Sequence, residues 1–442
     1  MTDLQARFRA VDDLPAPDLW REVETRALAL SAAPASGPSW LLIGLAVLLM
    51  AGLGSAVLLG SGLVELPVLP EPSPSESPFP SPTSSASLPP SVEPGAGASW
   101  TATGDMLVQR SDGYTLTLLS DGRVLVVGRD AFSDVARPAP PELFDPANMS
   151  WTATQPTLDR QDHTATLLVD GRVLVAGGHD FESIESHTSA ELYNPATGSW
   201  TATGSMIEAR GYHVAARLQD GRVLVVGGQA MVRRGSGGSR VLVSSAELYD
   251  PATETWSEVE GVVGAEPSTA TLLNDGRVLV VGGRVPFVFD PVSESWSQAG
   301  EPVSGHGVHT ATLLLDGRVL VAGGGDCCEW SASAEIFDPT NDAWTVTGEM
   351  MEPRGYFTST LVSTTGMVLA TGGGDGGSRG KPTAELFDPA TGTWSATDDM
   401  LSARGWHEAV ALADGRVLVV GGWSTGRGTD PPAEVYDPEG GT

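Results

Sequence analysis

Along residues 309–324, HTATLLLDGRVLVAGG, apolar and β-branched residues run in two short bursts parted by one polar pair, Asp316-Gly317. Each burst has the composition of a strand packed on both faces. Asp-Gly between them suits a two-residue turn whose backbone needs positive φ. The Gly-Gly that ends the second burst leaves room for close backbone approach, where a Cβ would clash. The pattern returns seven times, marked by Gly122, Gly171, Gly221, Gly276, Gly317, Gly366 and Gly415, at intervals of 41 to 55 residues. β-rich units at such a period belong to propellers or solenoids.

A third strand is predicted over Ala334-Glu335-Ile336-Phe337-Asp338, with Pro339 stopping it. Its copies carry an aromatic at Phe144, Tyr193, Tyr249, Phe289, Phe337, Phe387 and Tyr436. A fourth strand is marked by Trp100, Trp151, Trp200, Trp256, Trp296, Trp344 and Trp394. Read as buried, each such Trp covers about 150–250 Å². Seven units of four strands predict an all-β, seven-bladed propeller. The Trp strand Ser99–Thr103 precedes the first copy without partners, and the last copy ends at Asp437-Pro438 without a Trp strand. The N-terminal strand is therefore expected to complete the C-terminal blade and close the ring, which protects edge strands.

The order Arg-x-x-His, apolar strand, Asp-Gly, Gly-Gly, Glu-x-(Tyr/Phe)-Asp, Trp resembles the kelch repeat. The fuller string Arg210-Gly-Tyr212-His213, Asp220-Gly-Arg-Val and Gly227-Gly228 is similar to kelch propellers of the galactose-oxidase type. The resemblance covers residues 99–442. It implies a copper site built from Tyr212, His213 and Tyr356. The Cys that such oxidases cross-link to one Tyr has no counterpart, since Cys327-Cys328 follow Gly-Gly in a loop, and no later domain supplies a capping His. Half a ligand set does not make a copper site, so neither cofactor nor metal is expected, with copper kept as a minor alternative.

In a propeller the strand 1–2 and 3–4 turns share one face, and the longer connections share the other. Those longer connections diverge between copies, at 129–141, 179–189, 229–245, 284–286, 325–333, 375–383 and 423–432. Divergent loops gathered on one rim are where a binding surface is built. Phe132, Phe181, Trp330 and Trp423 put aromatics there, and Arg233, Arg234, Arg240, Arg379, Lys381 and Arg427 put positive charge there. Aromatic plus Arg is the composition of recognition hot spots.

Where the innermost strands begin, Arg160, Arg210, Arg354 and Arg404 stand three residues before His163, His213, Phe357 and His407. Tyr212, Tyr356 and Trp406 fill the slot between, His306 and His309 take the paired slots in the fifth copy, and Ser268 replaces His in the fourth. These residues either hydrogen-bond between blades or bind a metal or small ligand. The candidate binding set is Arg160, Arg210, Tyr212, His213, His309, Trp330, Arg354, Tyr356, Arg404, Trp406, His407 and Trp423, with no catalytic residue among them. A Glu recurs at Glu142, Glu191, Glu247, Glu335, Glu385 and Glu434, with Phe287 in the odd copy, which points to architecture. Arg after Asp-Gly, as at Arg318, is expected to pair across strands with the Asp of Asp-Pro, here Asp338.

Ahead of the propeller, residues 1–38 are polar and acidic, with a short helix expected from Asp18 to Leu30. Residues 39–64 hold the run Trp40–Gly60 without a charge, long enough for a transmembrane helix. Arg7, Arg9, Arg21 and Arg26 precede it, and no basic residue follows until Arg110. By the positive-inside rule the N-terminus is cytoplasmic and the propeller extracytoplasmic. Residues 65–98 are Pro/Ser-rich and read as a semi-rigid stalk.

Net charge is −30, from 55 acidic residues against 24 Arg and one Lys, Lys381. An acidic body repels phosphate backbones, which argues against nucleic acid as a partner. Sparse Lys with plentiful Arg, Ala and Gly is the signature of a GC-rich bacterial genome. Cys327 and Cys328 are adjacent and either stay free, form a strained vicinal disulfide or pair between chains. No nucleophile elbow, phosphate loop or metalloprotease motif is present. The reading is a single-pass, cell-membrane kelch propeller that recognises an extracellular protein or glycan without turnover. An oxidase or sugar-ring isomerase at the channel mouth is the alternative.

Overall fold

The computed structural model describes residues 98–104, 106–110, 112–128, 139–180, 185–234, 237–261, 267–282, 285–302, 307–326, 329–374, 380–424 and 431–440. The expected cytoplasmic segment 1–38, the transmembrane helix 39–64, most of the stalk, His306, Cys327, Cys328, Phe132, Phe181, Arg379 and Arg427 lie outside them. Among the described residues no helix is long and apolar enough to cross a membrane.

Seven four-stranded antiparallel sheets form the blades of a propeller. In blade 2 the strands, here a to d from the axis outward, are Thr164–Leu167, Val173–Ala176, Ala190–Asn194 and Ser199–Ala202. Each a strand contacts the a strands of both neighbours, and the circuit closes between Thr115–Leu118 and Glu408–Ala411. Strand Ser99–Ala102 pairs with Glu434–Asp437 in the register Ser99↔Asp437, so the N-terminal strand does complete blade 7. Ring closure is also a packing event, since Tyr114, Val124 and Phe144 share a cluster with Leu412, Leu418 and Val435.

The interior is a set of seven clusters lying between adjacent blades. Strand b supplies most of each, as the two-sided apolar run required; Val223–Val226 and its counterparts are fully buried. The c-strand aromatics are buried as well. The d-strand Trp are not fully buried: of the seven only Trp151 is, because d is the outermost strand. Each Trp instead covers its c-strand partner ring at 4.8–5.1 Å between centroids. Several also donate their indole N–H to the preceding blade, as Trp394 does to the Gly348 carbonyl at 2.9 Å.

The expected pairing of Arg318 with Asp338 is not what forms. Arg318 bonds instead to Asp316 of its own turn, two residues away, and reaches the Pro389 carbonyl of the next blade. Asp338 accepts from the backbone and hydroxyl of Thr340, which closes the turn that ends strand c. The other Arg of this set repeat the arrangement, and Arg222 adds Glu294 of the following blade. They are inter-blade clasps on the turn face.

Candidate functional site

The connections from strand d to the next strand a, together with those from strand b to strand c, deliver the residues of interest to the opposite face. Five of the seven d–a connections bury an Arg. Arg160, Arg210 and Arg354 lie 2.9, 2.7 and 2.8 Å from Glu191, Glu247 and Glu385 of the same blade, and Arg404 pairs with Glu434. The guanidinium also bonds the carbonyl of the first Gly of Gly-Gly, as Arg210 does to Gly227. The carboxylate's remaining capacity goes to backbone N–H groups, such as Ile207 and Glu208 on Glu247. Arg110 with Glu142 forms a fifth pair that the spacing concealed, because Arg110 stands four residues before Tyr114 rather than three. These Arg are sealed from solvent and hold two loops to one strand.

The next repeating position holds a left-handed backbone. Gly113, Asp162, Tyr212, Val308, Tyr356 and Trp406 have φ of 68°, 54°, 53°, 52°, 53° and 55°. For Val308 and the aromatics this costs about 1–2 kcal/mol each, and such strain gathers where function needs it. Neighbours are linked through this position. The amides of Asp162, Tyr212 and Trp406 donate to the carbonyls of Gly113, Asp162 and Tyr356, at 2.9, 2.9 and 3.0 Å. The result is a relay of main-chain bonds that aims the intervening side chains into the mouth of the central channel.

The following residue turns between blades. His163, His213, His309 and His407 are buried and place Nε2 at 3.0, 2.9, 3.0 and 3.0 Å from the hydroxyls of Thr115, Thr164, Thr269 and Thr358 on the preceding blade. Two blades break the pattern in step: Ser268 replaces His in blade 4, and Val214 replaces Thr in blade 3. Burial and a nearby Arg hold His163 and His407 well below the usual imidazole range, and His213 down to about 3. They are neutral structural latches. In blade 1 Tyr114 takes the slot, donating to the Val420 carbonyl at 2.7 Å and accepting from the Glu408 amide.

A cavity of about 1390 Å³ opens at the mouth. One wall is aromatic. Tyr356 and Trp406 stack at 3.5 Å with planes 18° apart, Trp406 and Trp423 at 4.8 Å and 21°, and Trp330 meets Tyr356 edge-on at 5.2 Å. Four of the candidate residues thus join one ladder across blades 5 to 7. Gly355 makes it possible, since a Cβ there would come within 2.2 Å of the Trp330 ring. The other wall is polar, formed by Asp162, Tyr212 and Arg240, with His179 beside Asp162 outside the lining. Asp162 bonds the Tyr212 hydroxyl, His179 lies 3.3 Å from Asp162 and 5.6 Å from the Tyr212 ring, and Arg240 sits 5.9 Å over that ring. Enclosure raises the Asp162 carboxyl to about 7 and the Tyr212 phenol above its ordinary value. Glu408 faces channel water yet is walled in by protein, which pushes it up to about 7. Asp162 and His179 escaped the sequence reading because only one copy has Asp or His at those positions.

The resemblance-based copper set does not fit this geometry. His213 Nε2 is committed to Thr164 between blades and the Tyr212 hydroxyl to Asp162, so two of the three residues already hold other partners. Among the described residues no three His, Cys, Asp or Glu side chains gather as ligands would.

The Kelch motif matches at residues 163–207, 210–261 and 306–351. A fungal alcohol oxidase of the AA5 family, solved in complex with copper, superposes with a TM-score of 0.64 and 18% identity, over 77% of this chain and 76% of that one. The structure of YjhT superposes with a TM-score of 0.51 and 16% identity, over 67% of this chain and 100% of that one. At these identities the likeness is one of fold. No curated protein sequence matches the chain.

Proposed function

We propose, from the premise that this chain is a kelch-repeat β-propeller similar in fold to galactose-oxidase-like enzymes, that it is a membrane-anchored recognition module. It binds an extracytoplasmic protein or glycan at the channel mouth. The observation that carries this reading is the cavity itself, lined by the stacked Tyr356 and Trp406 on one side and by Asp162, Tyr212 and Arg240 on the other. Apolar area with a few placed polar groups is the make-up of a binding pocket. Strand Ser99–Ala102 starts level with Asp437, on the turn face and not at the mouth.

Arrays of extracellular proteins and of glycans, probed with the full-length protein in detergent, test it. Trp406→Ala removes the centre of the ladder and is expected to weaken binding about tenfold or more, with thermal unfolding little changed. Retention of binding at the original level would refute the mouth as the site.

A second reading, an enzyme at the mouth, is favoured by one observation. Asp162, hydrogen-bonded to Tyr212 and titrating near neutrality, is suited to proton transfer. Metal analysis separates its oxidase form. The protein is expected to purify without stoichiometric copper; copper bound one to one and lost in Tyr212→Phe would reverse the ranking.

A further inference from the structure

The connection between strands b and c of blade 3, one of the divergent connections, is a β-hairpin arm. Strands Gln229–Arg234 and Gly237–Leu242 pair in the register Gln229↔Leu242, Met231↔Arg240 and Arg233↔Gly238. The first strand is covered. Gln229 exchanges main-chain bonds with Gly211, and Met231 accepts from the Ser186 amide and donates to the Ser186 hydroxyl. Gln229 and Met231 therefore direct their N–H and C=O away from the hairpin. In an antiparallel ladder, directly opposed residues share that orientation and alternate along the strand. Leu242, Arg240 and Gly238 must then direct theirs outward from the second strand. Among the described residues no hydrogen bond reaches those groups.

This edge lies on the side away from blade 2, and blade 4 there joins Gly282 to Phe287 by the shortest such connection in the ring. The edge has no Pro and no bulge, and Val241 and Leu242 stay exposed. Its charge is opposite to that of the rest of the protein. Residues 229–245 hold three Arg and no acidic residue, in a chain with 55 acidic and 25 basic residues. An acidic segment is repelled by the body and drawn to this arm.

We propose that the edge Gly238–Leu242 is a strand-addition site for an extended acidic peptide of a partner protein. Main-chain bonds to Gly238, Arg240 and Leu242, spaced about 6.6–6.8 Å apart, hold the peptide backbone. Charge on the arm selects its sequence, as in other cases of β-augmentation. The site lies outside the aromatic ladder but shares Arg240 with the polar wall of the mouth, so Leu242→Pro and the N-methylated peptides, which leave Arg240 in place, separate it from binding there.

The test titrates the full-length protein with fluorescein-labelled short peptides in which Glu alternates with Val or Thr, read by anisotropy. Saturable binding that weakens with salt is expected. Leu242→Pro, which deletes one outward N–H and keeps every Arg, is expected to weaken it about tenfold, as is N-methylation of alternate peptide residues. Arg240→Glu is expected to do the same. Gly238→Pro repeats the test at the other end of the edge should Leu242→Pro unsettle the arm. Failure of every peptide to bind would overturn the proposal. So would undiminished binding of N-methylated peptides, or equal binding of an unstructured polyanion such as heparin, either of which would leave charge without strand addition.

Discussion

Arg354→Ala is expected to cost about 3–5 kcal/mol of folding stability, read as a lowered urea midpoint, because it strands Glu385 as an uncompensated charge in a sealed site. The guanidinium is wholly buried and also bonds the Gly372 and Thr383 carbonyls, so its loss orphans two main-chain acceptors as well. Removing both charges together, as Arg354→Met with Glu385→Leu, is expected to cost less than either single change, since neither half then remains unpaired. The chain has already made the double exchange once. Blade 4 carries Phe287 where the other blades carry Glu, and no Arg precedes Ser268 at the matching distance. A double-mutant cycle showing additive losses would mean that the pair holds nothing together, and that its recurrence has another cause.

What was legible beforehand was whatever repeats with short range. Turn chemistry, strand periodicity and the orphan Ser99 strand are local or sum over seven copies, so blade count and closure followed. Pairing was less legible where partners come from different strands. Arg354 and Glu385 were each seen to recur, yet their union depends on how the d–a connection folds under the Gly-Gly end of strand b. For Arg318, register placed Asp338 opposite, but Asp316 lies two residues away and needs no register at all. The Trp were read as buried because their size and regularity resemble a core, and strand order alone decides that they lie outermost. At the mouth, Trp330, Tyr356, Trp406 and Trp423 were picked one by one for their chemistry. That they stack depends on the left-handed backbone at Tyr356 and Trp406 and on bare Gly355, which no pattern of apolar positions encodes.

In blades 2, 3 and 7 two groups of residues divide the labour. The Arg–Glu pairs and His–Thr latches fix the main chain just before and after the left-handed position, so the strain at that position is confined between two anchors. The side chain there is then free to vary, and across the ring it is Gly, Asp, Tyr, Val, Tyr and Trp. A scaffold that repeats and a slot that does not is the arrangement a recognition surface requires. It also makes the anchors the point at which solution conditions act on the whole ring.

Acid is therefore expected to loosen the propeller through its latches. His163, His213 and His407 are neutral when folded and have pKa values depressed by burial, His213 to about 3. A base whose folded pKa lies below its unfolded value of about 6.5 stabilises fully above that value. The contribution is lost as pH falls from there toward the folded pKa. At pH 4.5 His213 alone forfeits about 3 kcal/mol, at roughly 1.4 kcal/mol per unit. Asp162 and Glu408 act in the opposite sense, since carboxyls raised to about 7 gain stability as pH drops below neutrality. Both are reached by water while the imidazoles are not, so the histidines prevail below pH 6. His213→Phe isolates the effect, because blade 6 already holds Phe357 in this slot and leaves the Thr310 hydroxyl without a partner. At pH 7 the change is expected to cost about 1–2 kcal/mol, from an orphaned Thr164 hydroxyl. Between pH 7 and 4.5 the urea midpoint should fall by correspondingly less than in the wild type. A variant that loses as much stability over that interval as the parent would show that protonation enters elsewhere, and that the latch is held by packing alone.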